Sequence, residues 1–122
     1  MAEYFYDSYA IIEYLRGNKK YQKYFKEPFG ITTKLNLMEV YYALLDDEKY
    51  ADEVYSSFST VAIEPSDTQI KEAMKKRKVL KRDGLDISYA DAVGYVLSLD
   101  MKIKFLTDDR EFKNLPNVEY VK

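Results

Sequence analysis

The stretch Tyr4-Phe5-Tyr6-Asp7-Ser8-Tyr9-Ala10-Ile11-Ile12 predicts a short buried strand that leads directly into a helix. Aromatic residues are favoured in strands, and the first three residues of the stretch are all aromatic. Asp7 and Ser8 are of the types that begin helices, and the apolar residues after them predict a helix through Leu15. A carboxylate is therefore expected where the first strand meets the first helix.

The rest of the chain repeats this alternation of strand and helix. Further strands are predicted at residues 31–32, 60–64, 103–107 and 118–121. One helix is predicted to end near residue 58, and the other helices or helical turns lie at residues 19–26, 34–45, 67–82, 89–99 and 108–113. Strands that alternate with helices are joined by right-handed crossovers. The expected fold is therefore a single α/β domain over residues 1–122, with a parallel sheet covered on both faces.

The composition restricts the chemistry. Cysteine and histidine are both absent from the 122 residues. Their absence excludes thiolate nucleophiles, disulfides, the usual structural zinc sites and histidine acid–base catalysis. Catalysis would have to use carboxylates, hydroxyls, Lys, Arg or Tyr, together with a metal that accepts oxygen ligands.

The sequence also bears on location. It contains no run of about 18 apolar residues, the length that a membrane helix requires. Residues 1–7 lack the basic and apolar regions of a secretory signal. The expectation is a cytoplasmic protein that does not associate with a membrane.

Four acidic residues stand in apolar surroundings, where carboxylates are unusual. Asp7 and Asp109 follow strands, whereas Glu39 and Asp91 lie in helices that are apolar almost all round. We expect these helices to be buried on most sides and their carboxylates to be partly desolvated. Helix capping is the competing interpretation. Three segments resemble capping boxes, namely Asn36-x-x-Glu39, Ser88-x-x-Asp91 and Asp108-x-x-Glu111.

The expected topology would bring these acids together. In an open parallel sheet, ligands bind at the carboxyl ends of the strands, where the strand order reverses. Four carboxylates gathered there would repel one another unless protons or a cation neutralised them. With only oxygen ligands available, Mg²⁺ or Mn²⁺ is the natural occupant, and such metals promote phosphodiester hydrolysis.

The residues around the four acids resemble the motifs of PIN-domain nucleases, especially the VapC-type toxins of prokaryotic toxin–antitoxin pairs. The last matching segment resembles the family pattern T-x-D-x-x-F, which selects Asp109 rather than Asp108 as the site acid. In order and spacing the segments cover nearly the whole chain. They are Tyr6-Asp7-Ser8, Asn36-Leu37-Met38-Glu39-Val40, Ala90-Asp91-Ala92 and Thr107-Asp108-Asp109-Arg110-Glu111-Phe112.

The resemblance implies a three-layer α/β/α fold around roughly five parallel strands, with endoribonuclease activity that depends on Mg²⁺ or Mn²⁺. It also implies an RNA substrate, a homodimer and inhibition by a small antitoxin protein. The implied catalytic residues, which would bind the metal or organise the attacking water, are Asp7, Glu39, Asp91 and Asp109. The implied supporting residues are Ser8, Asn36 and Thr107.

Two basic segments are candidates for RNA binding. Residues 71–82 carry a local charge of +6 in a chain whose net charge is −2. Four of these residues share one helix face, namely Lys71, Lys75, Lys78 and Arg82. This face could contact RNA phosphates, or it could be an ordinary solvated face. In the second segment, residues 19–26, basic residues alternate with aromatic residues, as they do in proteins that bind single-stranded nucleic acid. The spacing of Tyr21, Tyr24 and Phe25 favours packing in the core instead.

Three other functions compete with a toxin nuclease. A phospho-receiver domain is disfavoured, because Asp7 has no acidic neighbour and the strand at residues 60–64 ends at Pro65 without an Asp at its tip. A catalytically silent PIN-like binding module would not need all four acids. A housekeeping RNA-processing nuclease of the PIN type fits the sequence as well as a toxin does.

Overall fold

The computed structural model describes residues 2–122, which form short strands alternating with helices. The strands are β1 (Tyr4–Tyr6), β2 (Thr32–Thr33), β3 (Ala62–Ile63), β4 (Lys104–Thr107) and β5 (Val118–Tyr120). The α-helices are α1 (Ser8–Leu15), α2 (Lys34–Ala43), α3 (Glu48–Ser59), α4 (Asp67–Arg82) and α5 (Tyr89–Met101). Two 3₁₀ segments occupy Lys19–Phe25 and Arg110–Phe112. Within residues 2–122, no helix has the length and apolar character needed to cross a membrane.

The strands pair in parallel, with β1 in the middle. β4 pairs with one side of β1, and β5 pairs with β4. On the other side Ile31 forms a bridge with Phe5, in which the Tyr6 N–H donates to the Ile31 carbonyl at 2.8 Å. The chain then enters β2, which pairs with β3. The strands therefore form a three-stranded sheet, β1-β4-β5, and a two-stranded sheet, β2-β3, which the bridge at Ile31 joins. Across that bridge the order is β3-β2-β1-β4-β5, which reverses at the junction of β1 and β4 and agrees with the predicted parallel arrangement.

The second and third strands differ in extent from the prediction. β2 lies one residue later than residues 31–32, because Ile31 makes the bridge to β1 and Thr32–Thr33 pair with β3. β3 is two residues long rather than five. Thr60 still caps the end of α3, and Pro65 has no N–H to donate to a neighbouring strand. Both ends of the predicted strand are therefore lost.

Helices cover both faces of the sheet, as expected for three layers. Successive strand residues point to opposite faces. Phe5 and Phe105 lie on the face that packs against α4 and α5, in a core that includes Leu80 and Val93. Tyr6 and Leu106 lie on the opposite face, in a core completed by four further elements: α1, the first 3₁₀ segment, α2 and α3.

Helix α5 packs very close to the central strand. Its residues Ala90 to Ser98 are all buried, as predicted from its apolar character. Gly94 allows the close approach, because a Cβ atom at this position would overlap the ring of Phe5. This packing fixes the start of α5, and with it Asp91, beside the carboxyl end of β1.

Helix α2 is much more exposed than its apolar sequence predicted. It buries Asn36, Leu37 and Val40, but Met38 is 59% exposed and Tyr42 is 80% exposed. The prediction that this helix would be buried on most sides is therefore wrong. Only one face of α2 packs against the domain, and an apolar stripe remains on its outer face.

Candidate active site

Three of the four predicted acids line one pocket at the carboxyl end of the sheet. Glu39, Asp91 and Asp109 line a cavity of about 470 Å³, which we call the acidic pocket. Asp7 lies at the end of β1, wholly buried and beside Asp91. Four acids that are far apart in the sequence are thus collected where the strand order reverses, as the topological argument predicted.

Asp7 caps α1 but is only partly satisfied by doing so. Its Oδ1 accepts a hydrogen bond from the Ala10 N–H at 2.7 Å. Its Oδ2 is buried and has no hydrogen-bond partner among the described residues. Burial, followed by the negative charge of Asp91, raises the pKa of the Asp7 carboxyl well above its ordinary value. The Thr107 hydroxyl and the Ala10 N–H act in the opposite direction and lower the pKa of this carboxyl. Capping therefore accounts for one oxygen of this carboxylate, and the other is buried near Thr107.

Asp91 is the second strongly perturbed carboxylate. Burial raises its pKa to about 7, with further contributions from the charges of Glu39 and Asp109. Hydrogen bonds from Ser88, the N-cap of α5, oppose this increase. The Asp91 N–H donates to Ser88 Oγ at 3.0 Å, so the predicted capping of this helix by Ser88 is confirmed. Ser88 therefore contacts both the backbone and the carboxyl of Asp91, and Asp91 also lines the acidic pocket.

Glu39 is held by a network of buried polar residues. Ser8 Oγ donates to Glu39 Oε1, and Asn36 Nδ2 donates to Ser8 Oγ at 3.2 Å. Asn36 is in turn held by Thr33, whose hydroxyl donates to Asn36 Oδ1 at 2.7 Å. Thr33, not Asn36, is the N-cap of α2. Glu39 therefore lies beyond the first turn, and the proposed Asn36-x-x-Glu39 capping box is wrong.

Asp109 is positioned by Thr107. The Asp109 N–H donates to Thr107 Oγ1 at 2.9 Å, and Asp109 Oδ1 accepts from the Glu111 N–H at 3.0 Å. Asp109 is thus the N-cap of the second 3₁₀ segment, and the prediction that Asp108 would cap it is wrong. Asp108 is absent from the lining of the acidic pocket. Burial and the charge of Glu13 raise the pKa of Asp108, which lines a neighbouring surface cavity together with Asp109.

The donor set fits a hard divalent cation that keeps part of its water shell. Within residues 2–122, no group of three or more acidic side chains is arranged to hold one metal ion by itself. Mg²⁺ is commonly bound through one or two carboxylates, with water or substrate oxygens as the other ligands. The unpartnered Oδ2 of Asp7 and the mutual repulsion around Asp91 are the features that a cation would relieve.

The basic residue in the acidic pocket is one that the sequence analysis missed. Arg77 lines the pocket, and none of the four predicted RNA contacts (Lys71, Lys75, Lys78 and Arg82) does so. Those four are exposed on α4. The helix pattern offered a signal, because Arg77 lies between the buried Ala73 and Leu80 on one stripe. Asp86 also lines the pocket and was missed.

The aromatic residues of the second basic segment are buried. Tyr21, Tyr24 and Phe25 all belong to the core beneath α1. Tyr6 and Phe25 stack with ring centroids 4.0 Å apart. The prediction that these residues pack in the core is confirmed, and their rings are not exposed for stacking on RNA bases.

Comparison with known proteins agrees with this architecture. The family model of the PIN domain matches residues 4–118. A toxin–antitoxin complex from Klebsiella pneumoniae contains a similar chain, with a TM-score of 0.72, 17% identity, and coverage of 98% of this chain and 96% of that one. VapBC2 from Rickettsia felis, bound to a DNA fragment from the promoter, gives a TM-score of 0.73, 15% identity, and coverage of 97% and 96%. No curated protein matches the sequence.

These comparisons bear on family and fold separately. At 15–17% identity the two solved structures share the fold with this chain over nearly its whole length. The family match spans all four candidate acids, from Asp7 to Asp109. Sequence motifs, strand order and family match lead to the same assignment, and the chain belongs to the PIN domain family.

Proposed function

We propose that the protein is an endoribonuclease that uses Mg²⁺ or Mn²⁺ to hydrolyse RNA phosphodiester bonds. The observation that carries the proposal is the buried, unpartnered Oδ2 of Asp7 beside Asp91. A buried polar atom without a partner is destabilising and calls for an explanation such as an ion. Since proteins of this family are generally nucleases, a cation-dependent nuclease site is the explanation that fits both the chemistry and the family.

Each acid would have its own part in binding and orienting the reactants. Asp7 and Asp91 would bind the cation, and Glu39 and Asp109 would hold its water ligands and orient the attacking water across the pocket. The bound cation supplies neutralisation of the carboxylates and Lewis acidity toward phosphoryl oxygen and water. Ser8 and Asn36 would fix the rotamer of Glu39, and Thr107 would fix Asp109, so that little rearrangement accompanies substrate binding.

We further propose that the nuclease is the toxin of a type II toxin–antitoxin pair. Its structural neighbours come from a toxin–antitoxin complex and from VapBC2. The exposed apolar side chains Tyr9, Met38 and Tyr42 are consistent with a surface that a homodimer partner or a small antitoxin covers. The protein would then act in the cytoplasm, where its RNA substrate and its antitoxin are made.

The nuclease proposal is tested by incubating purified protein with structured and unstructured RNA, with Mn²⁺ or with a chelator. Wild-type protein should cleave RNA only with the metal. Asp91→Asn should lower the rate by at least about a hundredfold, the upper end of what second-shell changes alone produce. Asp100→Asn, an exposed acid on the same helix, is the matched control and should retain full activity. Cleavage that persists in chelator, or in Asp91→Asn, would contradict the proposal.

The toxin proposal needs a separate test. Expression of wild-type protein alone should arrest growth, and expression of Asp91→Asn should not. A small protein encoded beside the toxin should co-purify with it and suppress RNA cleavage. A harmless, active nuclease without such a partner would instead indicate a housekeeping RNA-processing enzyme.

A further inference from the structure

Arg77 lines the acidic pocket, and the other charged residues in the described lining of that pocket are acids. Ala73 and Leu80, one turn away on either side of it, are buried against the domain. Arg77 therefore projects from the inner side of α4, and it lines the acidic pocket together with Glu39 and Asp109. An arginine placed there only to neutralise charge would be expected to pair directly with a carboxylate.

Arg77 makes no such pair. Within residues 2–122, the ion pair that satisfies a 4.0 Å limit joins Lys75 and Glu72, on the outer face of α4. The Arg77 Nε instead donates to the Ile87 carbonyl at 2.9 Å. Its guanidinium carbon lies 4.4 Å from the ring centroid of Tyr89. One backbone hydrogen bond and one aromatic ring thus hold the guanidinium in place without a carboxylate.

Among residues 2–122, the terminal nitrogens of this guanidinium have no hydrogen-bond partner, so they can bind another group. A guanidinium presents donors in a planar fork that matches the oxygens of a phosphate. The acidic pocket by itself repels a polyanion, and a bound divalent cation offsets only part of that charge. A fixed cation at the edge of the pocket would attract the RNA backbone to the acids, where exposed lysines on the outer face of α4 cannot reach.

We infer that Arg77, held by Ile87 and Tyr89, binds a backbone phosphate of the RNA and positions the strand over the acidic pocket. This inference rests on the proposed nuclease function. The alternative is a purely structural role, in which Arg77 only fastens the loop before α5. The two roles differ in whether the charge of Arg77 contributes to RNA binding.

The test measures binding of a fluorescent single-stranded oligoribonucleotide at several KCl concentrations, in chelator so that cleavage does not interfere. Arg77→Gln should weaken binding about tenfold, because a charge-assisted hydrogen bond is lost. The slope of log affinity against log salt should fall by about 0.7, the value for one phosphate contact to a single strand. Arg16→Gln removes the same charge from the exposed end of α1 and should leave the slope unchanged.

Two further measurements keep the inference separable from folding and from the nuclease proposal. Arg77→Lys keeps the charge but not the planar fork, so it should retain the wild-type slope and bind more weakly. An Arg77→Gln protein with a lowered melting temperature but an unchanged salt slope would overturn the inference, as would an Arg77→Lys protein that binds as tightly as wild type. If wild-type protein itself neither binds nor cleaves RNA with Mn²⁺, the nuclease proposal fails instead.

Discussion

Tyr6 and Asp7 are consecutive, wholly buried residues at the end of β1, yet the polar atoms of their side chains differ in hydrogen bonding. The Tyr6 hydroxyl donates to the Tyr24 carbonyl at 2.6 Å and accepts from the Gly30 N–H at 2.7 Å. The Asp7 carboxylate has one bonded oxygen and one without a partner. A single step along the strand thus separates a fully satisfied polar group from an unsatisfied one.

The same contrast extends to the regions around these residues. On the Tyr6 side, Phe25 stacks between Tyr6 and Tyr14, with centroid distances of 4.0 Å and 4.1 Å. On the Asp7 side, burial and neighbouring carboxylates raise the pKa values of Asp7 and Asp91. Within residues 2–122, the ion pair of Lys75 with Glu72 lies elsewhere. The aromatic region contributes packing to the fold, whereas under the proposed function the acidic region would be destabilising in the absence of a cation. Changes in the two regions should therefore have opposite consequences for stability and for activity.

The largest expected effect separates Asp109 from its neighbour Asp108. Asp109→Asn should abolish metal-dependent RNA cleavage, because Asp109 lines the acidic pocket. Asp108→Asn should leave most activity intact, since Asp108 does not line the acidic pocket. Initial rates of cleavage with Mn²⁺ would measure the difference. Loss of activity in Asp108→Asn but not in Asp109→Asn would show that Asp108, not Asp109, is the acid of the site.

A second expected effect is a pH-dependent stability that originates in the acidic region. The pKa of Asp91 is about 7 in the folded state and 3.8 in a model peptide, so the folded state binds the proton more tightly. Between these values the free energy of unfolding of the metal-free protein should fall as the pH rises, by up to about 1.4 kcal/mol for each pH unit. Denaturant titrations in chelator at pH 5 and pH 8 would measure this decrease.

Asp91→Asn supplies the control for this effect, because an amide has no proton to lose. Its stability should decline less between pH 5 and pH 8 than that of wild type. Asp100→Asn, which changes an exposed acid of the same helix, should follow wild type. If the free energy of unfolding fell equally in all three proteins between pH 5 and pH 8, the Asp91 carboxyl would not be the source of the pH dependence.

The smallest expected effect lies in the aromatic region. Tyr6→Phe keeps the ring but leaves the Tyr24 carbonyl and the Gly30 N–H without their buried partner. The free energy of unfolding should fall by about 1–3 kcal/mol, with little change in the activity of the folded protein. Tyr14→Phe, in a partly exposed ring that stacks on the same Phe25, should change stability less. A large loss of activity in Tyr6→Phe would contradict the claim that the aromatic region contributes to stability and not to catalysis.

The sequence predicted which acids lie near one another better than it predicted their surroundings, and their role in catalysis stays a prediction. Asp7 and Asp91 could be found because a charged residue among apolar ones is conspicuous and the parallel topology brings strand ends together. Capping was harder to assign, because neighbouring residues such as Asp108 and Asp109 are equivalent in a local pattern. The hydrogen bond from Asp109 to Thr107 distinguishes them, and it depends on the path of the chain after β4.

Arg77 and the outer face of α2 were missed for a different reason. Apolar residues on a helix predict that something covers them, but the pattern does not say whether that is the same chain or a partner. Met38 and Tyr42 are apolar yet exposed. The side of α4 that faces the acids depends on how it packs against α5, so regular spacing drew attention to the lysines of the outer face instead of Arg77.

The central claim, that the acidic pocket is a cation site, is tested most directly by thermal unfolding with and without Mn²⁺. A ligand that binds only the folded state stabilises it by about 2.7 kcal/mol at a hundred times its dissociation constant. Wild type should gain that increment, and Asp91→Asn should gain much less while melting higher than wild type in chelator. Asp100→Asn should behave as wild type. A wild-type protein whose melting temperature does not respond to Mn²⁺ would contradict the claim.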